Sequence, residues 1–340
     1  MPATSVMPAA LRGAVEAELA DARGARTTSD ARRLSDRYLA DRPADRPIVA
    51  SPDDAAAYVT ARMPATFAAV AFALAQVRDA VPHLAPRSLL DLGSGSGAAT
   101  WAAWDVFGSL ERADLLDYSR PMLAAAERML AHADLAVTTT LADASATHPT
   151  AASPSDPTHD LAVAAFVLSE ITTAQRTAVV ERLTAAASGA IVVVEPGTPA
   201  GFRRVLAVRD QLLAAGWRVV APCPHSGACP LAGDDADWCH AAVRLERSRA
   251  HRQAKAGERS FEDEKLAYVA AVPPDSPDAA DLPAARVLRH PQTHPGHIRL
   301  ELCTAAGEHE RAVVTKRDKE AFRAARKVEW GQAWRTGPRA

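Results

Sequence analysis

The four cysteines of the chain, Cys223, Cys229, Cys239 and Cys303, have the type and spacing that metal chemistry requires. Three of them lie within 17 residues, and the full pattern is C-x5-C-x9-C-x63-C. Thiolates bind soft metals, and four of them complete a tetrahedral zinc site or a cubane iron–sulfur cluster. The spacing is wider than the C-x2-C knuckles of a zinc ribbon. We therefore predict a metal centre ligated by all four, a cluster in preference to zinc.

Other uses of these cysteines remain open. His225, His240 or His251 could replace one thiolate, which would give a Cys3His zinc site. Four unconnected structural cysteines are a further alternative, and a disulfide pair is disfavoured in a reducing compartment. The sequence Cys-Pro occurs at both Cys223 and Cys229, and proline stiffens such a loop. The clustering favours one shared site.

A glycine-rich segment is the second motif, and it follows a short apolar strand candidate. It reads Asp91-Leu92-Gly93-Ser94-Gly95-Ser96-Gly97, with glycines at alternate positions. Glycine lets the backbone turn tightly and approach a ligand closely, and the helix that follows presents free N–H groups at its start. The spacing G-x-G-x-G differs from the dinucleotide pattern G-x-G-x-x-G. An ordinary strand–helix turn is the alternative.

The surroundings of the glycines predict a nucleoside ligand. Asp117 lies 22 residues after Gly95, at the end of the next strand, where a carboxylate accepts both ribose hydroxyls. Asp143 follows the third strand and could accept from an adenine amino group, although a solvated loop carboxylate explains it equally well. Asp91 favours a sulfonium ligand, S-adenosylmethionine, over NAD. The predicted cofactor residues are Asp91, Gly93, Ser94, Gly95, Gly97, Asp117 and Asp143.

Two segments carry a local excess of positive charge. Residues 244–259 hold six Lys or Arg and two acids, and residues 311–340 hold nine and three. Phe322, Trp330 and Trp334 are interleaved in the second segment, so phosphate neutralisation and base stacking are both available to it. A solvated helix face with a core tryptophan is the alternative. The predicted RNA contacts are Arg249, Arg252, Lys255, Lys316, Arg317, Arg326 and Lys327.

Strands alternate with helices from residue 87 onward, and this order predicts a parallel, doubly wound sheet that positions both motifs. The arrangement resembles the class I methyltransferases, so the expected fold is a Rossmann-like α/β sheet with an N-terminal helical region and an inserted cysteine-rich segment. A long helix over 55–81 should kink or divide at Pro64. The predicted units are a helical region (1–85), a cofactor-binding core (86–220), a metal-binding insertion (221–296), and a sheet-closing hairpin with a basic tail (297–340).

Composition limits the class of protein. The formal net charge of −2 excludes a polycation, so a nucleic-acid site must be a local patch. No apolar run approaches the roughly 20 residues of a membrane span, and no secretory signal is visible. We expect a bacterial cytoplasmic protein that is a monomer when free and has no membrane partner.

Several unrelated motifs occur in one ordered series. This series resembles the methyltransferase-like proteins associated with the small ribosomal subunit of mitochondria and bacteria, over roughly residues 55–335. The resemblance implies an assembly factor that contacts small-subunit ribosomal RNA and carries a 4Fe-4S cluster on the four cysteines. The motifs are Met63-Pro64-Ala65-Thr66, the glycine segment, Glu195-Pro196-Gly197-Thr198-Pro199, the cysteine segment through His240, Glu262-Asp263-Glu264-Lys265, and Ala325-Arg326-Lys327 leading to Trp330-Gly331.

No catalytic residue follows from the sequence. Glu170, Glu195 and His240 are candidate bases, but the strand that usually carries an Asn/Asp-Pro-Pro-aromatic motif here ends in Phe166-Val167-Leu168. Three functions therefore remain: an RNA methyltransferase acting on the small subunit, a non-catalytic assembly factor with the same fold, and a small-molecule methyltransferase with a structural zinc site. The basic tail and the motif series count against the third.

Overall fold

The computed structural model describes residues 3–21, 49–145, 159–234, 236–246, 261–276 and 282–335. In this part of the chain the larger of two sheets has nine strands. Arg249, Arg252 and Lys255 lie outside the described residues. The strands are β1 (Ala3–Ser5), β2 (Ser88–Leu92), β3 (Arg112–Asp117), β4 (Ala136–Leu141), β5 (His159–Ala165), β6 (Ala187–Pro196), β7 (Arg218–Ala221), β8 (Ala241–Glu246) and β9 (Phe261–Val272).

Five of these strands form a parallel core in the order β4-β3-β2-β5-β6. The chain reverses direction across the sheet between β2 and β5, and sheets of this kind bind ligands outside the carboxyl ends of the strands at that crevice. Strand β2 is buried along its whole length, as expected for a parallel strand covered on both faces. The predicted Rossmann-like α/β class is confirmed.

Helices cover both faces of the larger sheet. Helices α1 to α4 share one apolar cluster with it, and α5 and α6 share the other. The helices are α1 (Ala9–Asp21), α2 (Pro52–Ala80), α3 (Ala98–Phe107), α4 (Arg120–Leu130), α5 (Thr173–Ala186), α6 (Pro199–Ala214) and, on the smaller sheet, α7 (Lys319–Ala325).

Helix α2 is the long helix that the sequence predicts. It begins after Ser51, whose side chain accepts from the backbone N–H of Asp54, and it runs through Pro64 without dividing. By length and composition it could cross a membrane, but 89% of its most apolar window is buried inside the protein. Its position between the sheet and the neighbouring helices is that of a core helix.

Strand β9 closes the parallel core, and the predicted closing hairpin does not. Strand β9 pairs antiparallel with β6, and β7 and β8 pair antiparallel with β9. The prediction that residues 297–315 close the sheet is therefore wrong. Strand β9 was not predicted because it begins with the charged run 262–265, which has no apolar pattern. Its second half, from Leu266, is continuously buried. The predicted boundary at residue 220 thus separates β8 and β9 from the sheet to which they belong.

The hairpin itself exists and belongs to a second sheet. Its two strands pair antiparallel around Gly307, as predicted. Ile298, Leu300 and Leu302 face a small core of their own, whereas Cys303 faces the apolar cluster of the larger sheet. The five described strands of this smaller sheet are β10 (Ala285–Val287), β11 (Gln292–His294), β12 (His297–Thr304), β13 (His309–Thr315) and β14 (Ala333–Trp334).

Candidate cofactor pocket and cysteine cavity

A pocket lies at the carboxyl ends of β2, β3 and β5, where the doubly wound sheet reverses. Its wall combines the glycine segment with the residues after β3 and β5, and Val49 and Tyr58 of the N-terminal region close one side. Of the predicted cofactor residues, Gly93, Gly95 and Asp117 line this pocket. The remaining lining residues are Tyr118, Ser119, Met122, Ala165, Phe166, Val167 and Glu170.

The glycine segment is held in a left-handed backbone conformation. Gly93, Gly95 and Gly97 have φ angles of 69°, 53° and 77°, which only glycine adopts at no cost. At Gly93 there is also no room, because a Cβ atom would lie 2.5 Å from Cγ2 of Val167. The glycines are therefore needed for the backbone shape of this turn, and any strand–helix turn of the same shape would need them too.

Unpartnered polar atoms distinguish this turn from an ordinary one. Asp91 is 1% exposed; its Oδ2 accepts from Thr100 Oγ1 at 2.7 Å. The Oδ1 atom of Asp91 and the hydroxyls of Ser94 and Ser96 are buried without a hydrogen-bond partner among the described residues. Buried polar groups are normally paired, so three orphans in one seven-residue segment indicate a ligand. Burial raises the pKa of Asp91 to about 7.

Asp117 joins the glycine segment to the turn that follows β3. Its Oδ2 accepts from the Gly95 N–H and its Oδ1 from the Ser119 N–H, both at 2.8 Å. Each carboxylate oxygen has a second lone pair, so the side chain can still accept from a ligand. Asp143 differs: it is exposed, it accepts from Ser145, and it is not among the residues that line the pocket.

The three candidate bases occupy different surroundings. Glu170 lines the pocket, where its carboxylate accepts from the Tyr118 hydroxyl at 2.9 Å. Glu195 is fully buried and forms an ion pair with Arg204. His240 stacks on Trp238 outside the pocket. Only Glu170, of these three, is in place to meet a ligand there.

A second cavity brings all four cysteines together. Cys223 and Cys229 lie on one loop, here called the cysteine loop (Cys223–Cys229), after β7; Cys239 precedes β8, and Cys303 lies on β12 of the smaller sheet. All four line one cavity between α6, β9 and β12. Residues from two sheets thus meet at one point, although Cys239 and Cys303 are separated by 63 residues in the sequence.

The cavity is apolar, and this shapes the chemistry of its thiols. Burial raises the pKa of the Cys303 thiol to about 12 and that of Cys239 well above its usual value, and the neighbouring thiols act in the same direction. His225 Nε2 lies 3.3 Å from the Sγ of Cys303, and its Nδ1 is buried with no hydrogen-bond partner in the described part of the chain. Four thiolates would require a cation to coexist here.

In the described part of the chain, the thiols do not form a compact set of ligands for a single ion. Among the described residues, no three His, Cys, Asp or Glu side chains stand close enough to hold one metal ion. Four thiolates on one zinc lie only about 4 Å apart, because each Zn–S bond is about 2.3 Å. In a cubane, each thiolate binds a different iron atom, so the sulfurs stand farther apart.

Two buried arginines at the cysteine cavity were not singled out from the sequence. Arg209 lines the cavity from α6, and Arg286 lies directly opposite Cys303 in the pairing of β10 with β12. Their contacts join parts of the chain that are far apart in sequence. The one local signal is a charged residue within the apolar run Ala285-Arg286-Val287-Leu288.

The basic surface of the C-terminal region is partly described. Lys316, Arg317, Arg326 and Lys327 are all exposed, on the turn before α7 and just after it. Two of the three predicted stacking aromatics are not available, since Trp330 and Trp334 are 7% and 4% exposed, while Phe322 is partly buried. Trp334 packs in the core of the smaller sheet, and Trp330 Nε1 donates to the carbonyl of His240. These two tryptophans hold the fold together.

Comparison with solved structures gives weak likenesses. A putative RNA methyltransferase from Pyrococcus horikoshii aligns with a TM-score of 0.39 and 10% identity, over 61% of this chain and 83% of that one. The magnesium protoporphyrin IX methyltransferase of Synechocystis, solved with bound SAH, gives 0.36 and 12%, over 60% and 81%.

Comparison of sequences is more specific. The mitochondrial ribosome assembly protein METTL17 of Homo sapiens is 30% identical over 287 residues, which are 81% of this chain and 61% of the relative. The mitochondrial Rsm22-cox11 tandem protein 2 of Schizosaccharomyces pombe is 29% identical over 184 residues, 42% of this chain and 24% of that protein. The chain thus spans less than two thirds of either relative, and the bacterial cytoplasmic location stays a prediction.

One protein family matches a stretch of the sequence that includes strands of both sheets. The family described as mitochondrial small ribosomal subunit Rsm22 matches residues 52–335. That span contains the candidate cofactor pocket apart from Val49, the cysteine cavity, and the exposed basic residues before and after α7. The chain therefore belongs to the Rsm22 family.

Proposed function

We propose that this protein is a ribosome assembly factor that acts on or binds small-subunit ribosomal RNA. It holds S-adenosylmethionine in the pocket at β2, β3 and β5, and a 4Fe-4S cluster in the cysteine cavity. The observation that carries the ribosomal part is the family match over residues 52–335, together with the human relative named for ribosome assembly.

The glycine segment fits S-adenosylmethionine. The unpartnered Oδ1 of Asp91 offers a negative partner to a cationic ligand, and the backbone turn at Gly95 leaves space where a Cβ atom would otherwise stand. Asp117 is the acceptor proposed for the ribose. When bound, this cofactor supplies an electrophilic methyl group.

The cysteine cavity fits a thiolate-ligated group. Four thiols share an apolar cavity that no other described function uses. Cys223, Cys229, Cys239 and Cys303 would hold the group. Because Cys303 comes from the smaller sheet, such a group would link the two sheets and contribute to folding.

Contact with RNA is the role proposed for the exposed cations near α7. Lys316, Arg317, Arg326 and Lys327 would neutralise phosphates, together with Arg249, Arg252 and Lys255 of the segment outside the described residues. Since Trp330 and Trp334 are buried, we attribute binding to charge and not to stacking.

The alternative is a non-catalytic factor with the same fold. It is favoured by the wall after β5, where Phe166 and Val167 face the pocket and supply no polar group for proton transfer. Glu170 is the remaining candidate base of the pocket. In the non-catalytic case the cofactor and the metal group would stabilise the shape that grips RNA.

The test is a methyl-transfer assay with purified small subunits and assembly intermediates, read by mass spectrometry of the RNA. Co-sedimentation is measured on the same samples. Binding with methyl transfer supports the enzyme, and binding without it supports the alternative. Failure to bind any subunit or intermediate would overturn the proposed function.

A further inference from the structure

Two buried arginines flank the cysteine cavity from different sheets. Arg209, on α6, lines the cysteine cavity together with Cys223, and its positive charge opposes the increase that burial causes in the pKa of that thiol. Arg286, on β10, is paired directly with Cys303 of β12, so both side chains project from the same face of the smaller sheet. The two arginines are 3% and 2% exposed.

Hydrogen bonds attach both guanidinium groups to the cysteine loop. Arg286 Nε donates to the carbonyl of Pro222, immediately before the loop, at 2.7 Å. Arg209 Nη2 donates to the carbonyls of His225 and Gly227, within the loop, at 3.3 and 2.5 Å. The Nε of Arg209 is buried and has no hydrogen-bond partner among the residues that the structure describes.

Close carboxylates do not balance these two charges among the described residues. The other acceptors of Arg286 are neutral, the side chain of Gln76 and the carbonyl of Gly331. Arg209 has Asp210 at 3.7 Å, with a side chain that is 67% exposed. An unpaired buried charge is strongly destabilising, so the cavity requires an anion. Neutral thiols do not supply one, whereas a metal group ligated by four thiolates carries net negative charge.

We propose that Arg209 and Arg286 are the counter-charges of that group and the positioning residues of its site. They hold the cysteine loop in place, and Arg209 Nε donates to a sulfur atom of the group. The inference rests on the proposed function, because it needs a thiolate-ligated metal group. Charge and hydrogen bonds to sulfur are known means by which proteins tune such centres.

The first experiment measures metal content and retention in anaerobically purified full-length protein. Arg209→Met removes the charge and Arg209→Lys keeps it, while Arg203→Met, at an exposed position of the same helix, is the matched control. We expect Arg209→Met to lose metal to a chelator about 10- to 100-fold more readily. Arg209→Lys should be intermediate, and Arg203→Met should match the wild type.

The reduction potential gives a readout that a purely structural role would not move. Loss of a nearby positive charge destabilises the reduced, more negative cluster. Arg209→Met should therefore shift the midpoint potential to more negative values. Arg286→Lys keeps its positive charge and should shift the midpoint potential less. The Arg286→Lys variant also serves if Arg286→Met does not fold.

The effect of Arg209→Met on stability should have opposite signs in metal-loaded and metal-free protein. In metal-loaded protein, Arg209→Met should lower the midpoint of urea unfolding. In protein stripped by a chelator, the same change should raise it, because an unpaired buried charge is removed. Equal metal retention, potential and unfolding midpoints in Arg209→Met and wild type would overturn the inference alone. A wild-type chain without iron, sulfide or zinc would overturn the proposed cluster first.

Discussion

At the scale of single residues, Gly95 tests the cofactor pocket most directly. Its φ is 53°, and a Cβ atom there would lie 3.3 Å from the side chain of Met122, beside the pocket. We expect Gly95→Val to abolish binding of S-adenosylmethionine, measured by calorimetry, because the branched side chain fills the space between ligand and backbone. NAD serves as the competing ligand.

A second glycine with a positive φ serves as the control that separates backbone strain from obstruction of the ligand. Gly108 also has a positive φ, 63°, but no atom of the described residues lies within 4 Å of the position of its Cβ atom. Gly108→Val should therefore carry a similar backbone cost of about 1–2 kcal/mol and still bind the cofactor. Loss of binding in both variants, or binding of NAD in place of S-adenosylmethionine, would contradict the assignment.

We expect Asp91 to make binding of the proposed cofactor depend on pH. Burial raises the pKa of Asp91 in the folded protein to about 7, above its ordinary value, with a smaller opposing effect from Thr100 and a further increase from Asp117. The folded state thus holds the proton more tightly than the unfolded state. The free protein should lose stability as pH rises from about 4 to about 7 and then level off.

Bound S-adenosylmethionine should lower the pKa of Asp91 again, because a sulfonium cation favours the ionised carboxylate. Affinity for S-adenosylmethionine should rise between about pH 6 and pH 8, with release of a proton. Calorimetry in buffers of different ionisation enthalpy measures that proton. Asp91→Asn should bind more weakly at the upper pH and show no such rise; an equal rise in the variant would exclude Asp91 as the cause.

The sequence pointed to the four thiols of the cavity and to part of the pocket, but not to the two arginines. Asp91, Gly93 and Gly95 lie in one short segment whose backbone shape their own residue types dictate, and Asp117 follows at the end of the neighbouring strand. Arg209 and Arg286 meet the cysteines only through long-range packing. Asp143 has the right position along the chain, but its side chain is exposed and bonds with Ser145.

At the scale of elements, the parallel strands were predicted because their apolar runs are continuous and their order is regular. The hairpin at Gly307 was also predicted, but its sheet was not. A hairpin pattern specifies local pairing and says nothing about which sheet receives it. Strand β9 was missed because its first half, Glu262 to Lys265, is charged and lies where β9 pairs with β8.

The turn before α7 and the residues after it carry the prediction for RNA. Arg326→Glu with Lys327→Glu should weaken binding to small subunits and lower the salt dependence, by about one unit of slope for each phosphate that is no longer neutralised. Both side chains are exposed, so the fold should be unchanged. Co-sedimentation over a series of salt concentrations measures the slope.

Two exposed arginines of the larger sheet and its helices, Arg203 and Arg218, provide the control. Reversing their charge changes the net charge of the molecule by the same amount. If general attraction to RNA drove binding, both double variants would lose affinity equally. A selective loss at Arg326 and Lys327 would place the contact at this surface, and unchanged binding there would remove it from the proposed interface.

At the scale of the whole molecule, the two sheets share the cysteine cavity. Three thiols come from the larger sheet and its connections, and the fourth comes from β12. The smaller sheet has its own core around Ile298, Leu300 and Trp334. The contacts around Cys303 and Arg286 are among those that attach it to the larger sheet.

Cys303→Ser should therefore loosen the smaller sheet when the metal group is present. A serine hydroxyl is a poor ligand for a soft metal, so the group loses its link to β12. We expect the anaerobic wild-type protein to be brown, with absorbance near roughly 400 nm, and the variant to hold less iron and sulfide. Hydrogen exchange should become faster in β10 and β12, which carry the arginine and the fourth thiol, than in the parallel core.

Chelator-treated protein provides the control for packing. The step from thiol to hydroxyl is small, so without metal the variant and the wild type should exchange at nearly the same rate along β12. A loaded variant that exchanges like the loaded wild type would show that no metal group joins the sheets. One zinc without iron or sulfide in the wild type would reject the cluster and keep the four-cysteine site, since zinc ligated by the same thiolates would link β12 to the cysteine loop in the same way.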